Sequence, residues 1–234
     1  MDRRHCLVTG ANRGLGLEFV RQLLARGQHV VAACRHPGKA RSLNLLAGEY
    51  PGRLHVLPLD VGDPRSHAEL VRELPLVTDG EPLDLLINNA GVLQGGERFG
   101  SVRPADLEAS LRTNAMGPFL LTQALAPQLA DDSTVANISS EVGSITLKQE
   151  FRTPSYAIGK AAQNMATSLL AQALSARNIK VVALHPGWVQ TDMGGERATL
   201  TATESVTALL QLLGRLQAAD SGSFLDWQGQ SLPW

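Results

Sequence analysis

Cysteine is scarce: two in 234 residues, Cys6 and Cys34, too few for a disulfide framework. Each falls in an apolar run and reads as a small buried hydrophobe rather than a reactive thiol. Neither sign of charge is in excess. The net charge of -1 gives no global field to draw in nucleic acid or an anionic membrane. Aromatic residues make up 4%, and Tyr50, Phe99, Phe119, Phe151, Trp188 and Trp227 are not interleaved with basic residues, which argues against a nucleic-acid stacking surface. No apolar run approaches the length of a membrane span, so no membrane partner is expected. The segment Met1-Asp2-Arg3-Arg4-His5 enters a strand almost at once, leaving no room for a signal peptide and pointing to the cytoplasm. His5, His29, His36, His55, His67 and His185 lack any paired ligand spacing; no metal is expected, and they read as surface or strand-end residues. Low-complexity segments, repeats and long linkers are also missing.

What is present is an ordinary globular composition, 44% apolar and 18% charged, in a length that suits one α/β domain over 1–234. Short β-rich runs alternate with helical patterns. Strands are predicted over 6–9, 29–34, 54–59, 83–87, 134–138 and 179–184, with a short seventh over 222–225. Helices are predicted over 15–26, 64–77, 104–129, 156–177 and 203–216. Asp63 and Pro64 supply an N-cap and a first helical residue, and Pro118 predicts a kink in the long 104–129 pattern. Strands apolar on both faces, alternating with helices, imply a doubly wound parallel sheet of about seven strands, covered on both sides. In such a sheet the ligand site lies beyond the carboxyl ends of the strands.

The motifs cluster at those ends. Gly10, Asn12, Arg13, Gly14, Leu15 and Gly16 belong to TGANRGLG, which joins the first strand to the first helix. Gly10 permits a tight turn, Gly14 a close approach of backbone to a pyrophosphate, and Gly16 the packing of helix on sheet. The helix N-terminus then offers free N–H groups to phosphate. A plain strand-to-helix turn is the simpler alternative. After the second strand the chain reads Cys34-Arg35-His36, without the carboxylate that would hold a ribose 2′-hydroxyl. Arg35 can fork onto a 2′-phosphate, with Arg13 facing it across the loop, unless both are merely solvated. Asp60 and Val61 end the third strand, where a carboxylate can accept from an adenine amino group or simply make a turn. Asn89, Ala90 and Gly91 end the fourth, where small residues suit a ribose and asparagine can tie the loop down.

Tyr156 and Lys160 are four apart on one helix face. A phenol near pKa ~10 is a poor acid or base at neutral pH, and a nearby ammonium lowers it. Lys160 can also hold a nicotinamide ribose. Ser139 and Ser140 end the fifth strand, where a hydroxyl can donate to a substrate oxygen as charge develops. Asn114, on the long helical pattern, is placed to hold a proton-relay water or to tether the helix. Pro186, Gly187, Val189 and Thr191 follow the sixth strand, where backbone and hydroxyl can meet a carboxamide.

In their order, TGANRGLG, NNAG, ISS, YAIGK and HPGWVQT resemble the short-chain dehydrogenase/reductases and cover most of the chain. The resemblance implies hydride transfer between NADP(H) and a small carbonyl or alcohol substrate. In it Tyr156 is the acid/base, Lys160 its tuner, Ser140 the substrate-oxygen donor and Asn114 the water holder. Arg13 with Arg35 then marks the NADP-preferring branch. The stretch Thr191-Asp192-Met193-Gly194-Gly195 and the ending Phe224 to Trp234 resemble the C-factor-like and sniffer-like carbonyl reductases within that family. Sixteen positions separate Ser140 from Tyr156, more than the commonest family spacing, so Ser139 is a rival serine and Ser144 a distant one. The competing class is a dinucleotide-sensing or signalling protein with little turnover; the complete set Asn114, Ser140, Tyr156, Lys160 favours an enzyme. The long Ala-rich 156–177 helix is suited to a homodimer or homotetramer.

Overall fold

Seven apolar runs pair side by side in parallel, in the order β3-β2-β1-β4-β5-β6-β7. The computed structural model describes residues 4–234; Met1, Asp2 and Arg3, part of the segment read above as too short for a leader, lie outside them. The strands are β1 (His5–Thr9), β2 (His29–Cys34), β3 (Leu54–Pro58), β4 (Leu83–Asn88), β5 (Leu129–Ile138), β6 (Lys180–His185) and β7 (Phe224–Asp226). The helices are α1 (Gly14–Ala25), α2 (Arg41–Glu49), α3 (Pro64–Val77), α4 (Pro104–Leu111), α5 (Gly117–Leu125), α6 (Pro154–Ala173) and α7 (Ala202–Leu213).

Alternation along the strands divides the core in two. Cys6, Val8, Val30 and Ala32 pack on one face with Phe19, Val20 and Leu23 of α1, Leu43 of α2 and Val206 and Leu209 of α7. Leu7, Val31, Ala33 and Leu86 pack on the other with Leu70 and Leu74 of α3, Leu121 and Leu125 of α5 and Leu170 of α6. This is the doubly wound α/β sheet expected from the sequence. Strand order reverses at β1, whose neighbours are β2 and β4, and a crevice opens above the carboxyl ends there. A buried polar line crosses the second face: Asn88 Nδ2 donates to Thr122 (3.1 Å) and to Asn137 Oδ1 (2.8 Å), and Asn137 Nδ2 donates to Thr167 (2.8 Å).

Several elements differ from expectation. Helix α2 was not predicted; its stripe of Leu43, Leu46 and Ala47 packs on the first core, with only Leu43 fully buried. Strand β5 begins five residues early, at Leu129, its exposed Asp131 and Asp132 masking the pattern. His67, read as surface, is buried on α3 and its Nε2 lies 2.8 Å from the Val61 carbonyl. The 104–129 pattern is broken by a π turn over Arg112–Met116. Pro118 has no N–H for the carbonyl four residues back, that of Asn114, so the regular ladder fails there. Gly117 lets the turn sit under Val61, whose carbonyl oxygen would lie 2.7 Å from a Cβ at that position.

Candidate active site

A cleft of about 620 Å³ runs along the carboxyl ends of β1, β2, β4 and β5. Its floor at one end is the glycine loop. Gly10 has φ +63°, and a Cβ there would meet Ala90 Cα at 2.8 Å; at Gly16 it would meet the Gly10 carbonyl oxygen at 2.3 Å. These contacts lock α1 against the sheet. The Thr9 hydroxyl accepts from the backbone N–H groups of Asn89 and Ala90 (both 3.0 Å), and the Asn89 amide donates to the carbonyls of Thr9 (2.9 Å) and Gly10 (3.2 Å). Asn89 therefore does tie the loop to its neighbour. Helix α1 has no side-chain cap and no acidic residue in its first turn, which leaves its N-terminal N–H groups for an anion.

Gly10, Asn12, Arg13, Leu15, Arg35, Asp60, Val61, Asn89, Ala90, Gly91, Tyr156, Lys160, Pro186 and Thr191 all line this cleft. Gly14, Gly16, Gly187 and Val189 do not form its wall. Gly187 is pressed against Leu200 and Trp227, and Val189 is buried and bridged to Leu200, so both support the wall from behind. Arg35 and His36 stand exposed at the β2 end, joined by Lys39, which the sequence reading did not single out. Lys39 is brought there by a short 3₁₀ turn, Pro37–Lys39, and the Pro-Gly pair before it is the signal that could have found it. Arg13 lines the same cleft as Arg35 and donates to Asp192 Oδ2 at 2.5 Å, spanning the cleft mouth from α1 to the segment after β6. The Asp60 side chain accepts from the Gly62 N–H (2.9 Å), the turn role, with its carboxylate still on the cleft wall.

At the other end, α6 starts at Pro154 and carries Tyr156 and Lys160 inward, both buried. The Ser140 side chain favours ionisation of the Tyr156 phenol, against its burial, and caps the 141–143 turn, accepting from the Val142 N–H at 3.4 Å. Ser139, and not Ser140, is among the residues lining the cleft, but its hydroxyl donates inward to Asn164 Oδ1 at 2.6 Å. Ser144 hydrogen-bonds the Leu147 N–H (3.1 Å). Of the three serines, Ser140 is the one whose side chain acts on the phenol, opposing the rise in its pKa. Lys160 Nζ donates to the Ile138 carbonyl (2.6 Å) and Gln163 Oε1 (2.9 Å), and sits 5.6 Å from the Tyr156 ring centroid.

Burial pushes the Tyr156 phenol up to about 12, with the Ser140 hydrogen bond opposing it. Burial likewise brings Lys160 down to about 7. The lowered phenol expected from the sequence is thus not the balance found here: desolvation outweighs the neighbouring hydroxyl. Asn114 is fully buried in the π turn. Its amide accepts from the Val92 N–H (2.9 Å) and donates to the Val92 carbonyl (2.9 Å) and Ser110 (3.0 Å). That side chain tethers the segment after β4, the second of the two roles open in the sequence; both its N–H groups are taken. Met193 reaches the wall, while Phe151 stacks edge-on against Phe99 (5.7 Å between centroids) at the exposed rim.

The short chain dehydrogenase family profile matches residues 4–201. The chain belongs to that family. Its relatives include the C-signal protein of Myxococcus xanthus, 41% identical over 65% of this chain and 93% of that protein. Among solved structures, the NADPH-bound carbonyl reductase from chicken fatty liver superimposes with a TM-score of 0.94 at 38% identity, covering all of both chains. The carbonyl reductase Sniffer of D. melanogaster does so with a TM-score of 0.95 at 33% identity, again over all of both chains. The family and subgroup resemblance carried by the sequence motifs is therefore borne out.

Proposed function

We propose that this short-chain dehydrogenase/reductase is an NADP(H)-dependent carbonyl reductase acting on a small organic carbonyl. The observation that carries the reading is Tyr156 and Lys160 together at one end of a cleft whose other end is cationic, with the Ser140 side chain acting on the phenol. The residues present fit the cofactor. Gly10, Asn12 and the bare N-terminus of α1 suit a pyrophosphate, and Arg35, His36 and Lys39 suit a 2′-phosphate that a carboxylate in their place would repel. Asn89, Ala90 and Gly91 border the ribose position, and Pro186 and Thr191 the carboxamide. When bound, NADPH supplies the hydride.

The chain's own residues handle the oxygen. Ser140 donates a hydrogen bond to the substrate oxygen as negative charge grows on it. Tyr156 delivers the proton that turns that oxygen into a hydroxyl. Its phenol is protonated across the neutral range, the form an acid needs, because burial holds its pKa high. Lys160, with two of its three hydrogens held by Ile138 and Gln163, turns the third to the cleft and stabilises the phenolate left behind. Asn114 acts at one remove, fixing Val92 on the cleft wall.

Consumption of NADPH, followed over a panel of aldehydes, ketones and quinones, tests the reading. Tyr156→Phe is expected to lower turnover on the order of 10²- to 10⁴-fold while NADPH binding, titrated by its fluorescence, stays nearly intact. Surviving turnover in that variant overturns the mechanism.

A further inference from the structure

Gln163 is 1% exposed, one turn beyond Lys160 on the same face of α6. Its Oε1 accepts from Lys160 Nζ at 2.9 Å. Its Nε2, equally buried, meets no hydrogen-bond partner. An amide half-satisfied in the core is a poor choice for packing alone, since a leucine of similar volume would fill the space without stranding a donor. The satisfied half is the half that faces the ammonium. Lys160 itself is clamped on its other sides: Ile138 takes one hydrogen at 2.6 Å, and a Cβ on Gly143 would stand 2.8 Å from Lys160 Cβ, so the 141–143 turn lies directly on its stem.

We propose that Gln163 is a positioning residue for Lys160, its amide oxygen holding the ammonium in place and in its charged form beside Tyr156. A buried ammonium is stable only where acceptors replace its water, and here the acceptors are one backbone carbonyl and this one side chain. Tyr156 is the titratable group that faces Lys160 from α6 itself. From β5 and the segment after β4, Ile138 and Gly91 present neutral backbone, the π turn presents the neutral Asn114, and Glu141 of the 141–143 turn stands 3.8 Å from His185. No second charge substitutes for the Gln163 oxygen among these groups. Burial already brings Lys160 down to about 7, so the loss of one acceptor falls within the working pH range.

The inference rests on the catalytic reading of Lys160, and the test separates the two. The pH profile of kcat for carbonyl-dependent NADPH oxidation is measured for the parent, Gln163→Leu and Lys160→Met, together with the NMR titration of the Lys160 side-chain carbon next to Nζ. For Gln163→Leu the alkaline limb is expected to move to lower pH by about one unit, a ten-fold loss on that limb with the acid plateau unchanged. The Lys160 titration is expected to move with it. Should Gln163→Leu fail to fold, Gln163→Met carries the same two measurements. Profiles and titrations that superimpose on the parent overturn the role of Gln163. Full turnover in Lys160→Met instead overturns the catalytic reading beneath it, whatever Gln163 does.

Discussion

At the β5–α6 end of the cleft, Tyr156, Lys160, Ser139 and Asn114 are all buried, and the last three are hydrogen-bonded to fixed partners. At the β2 end, Arg35, His36 and Lys39 stand in solvent. The contrast follows from what each end has to do. Stabilising a developing charge requires dipoles already in place and little competing water. Selecting a phosphate requires cations that stay hydrated until the anion arrives, because a buried cation without a partner is costly. One end bears a standing desolvation penalty, and the other acquires order only with its ligand.

The largest effect that would sharpen this comparison is at the open end. Arg35→Asp is expected to weaken NADPH on the order of 10- to 100-fold, the range of a lost charge-assisted hydrogen bond, and NADH far less. Equal losses for both cofactors in a fluorescence titration would remove Arg35 from the phosphate site. At the closed end, the penalty itself is measurable. The Lys160 pKa is depressed from 10.5 to about 7 in the folded protein, so between those values the unfolded chain binds the extra proton. Stability therefore rises with pH across that window, by roughly 1.4 kcal/mol per unit from this one group. Below about pH 7 both states are protonated and the slope from this group vanishes. Denaturant titrations of the parent against Lys160→Met should show the slope in the first and its loss in the second; parallel curves would mean the lysine is better solvated than its burial indicates. The smallest effect concerns the bridge across the mouth. The Arg13 and Asp192 side chains are 67% and 75% exposed, so their pairing is worth only about 0–1 kcal/mol. Asp192→Asn frees Arg13 for the cofactor phosphates and is expected to tighten NADPH up to about five-fold, less at high salt. Unchanged or weaker binding would show that Arg13 serves the segment after β6 instead.

The same contrast explains how much could be read from the chain. Strands and the doubly wound order were legible because β1, β2, β4 and β6 are apolar on both faces, a pattern that solvent does not interrupt. The carboxyl-edge motifs fixed where a site would be. What the sequence withheld were directions of side chains. Arg13 turned to Asp192 because a carboxylate 179 residues away reaches it, a distance no local pattern encodes. Nor could the direction of Ser139 be read until its hydroxyl was seen to donate to Asn164 of α6. Spacing placed Asn114 on a helix, yet its role followed from a π turn created by Pro118 and accommodated by Gly117. Lys39 was missed because a polar turn residue looks alike whether or not a cleft lies beside it.

The line of amides and hydroxyls from Thr122 through Asn88 and Asn137 to Thr167 rivets α5, β4, β5 and α6 together along one face of the sheet. Sliding α6 by a single residue would strand the dry amide of Asn137. The height of the tyrosine above the sheet is thus set from inside the core, and fitting the site around different guests is left to the exposed rims that carry Phe99, Phe151 and Met193.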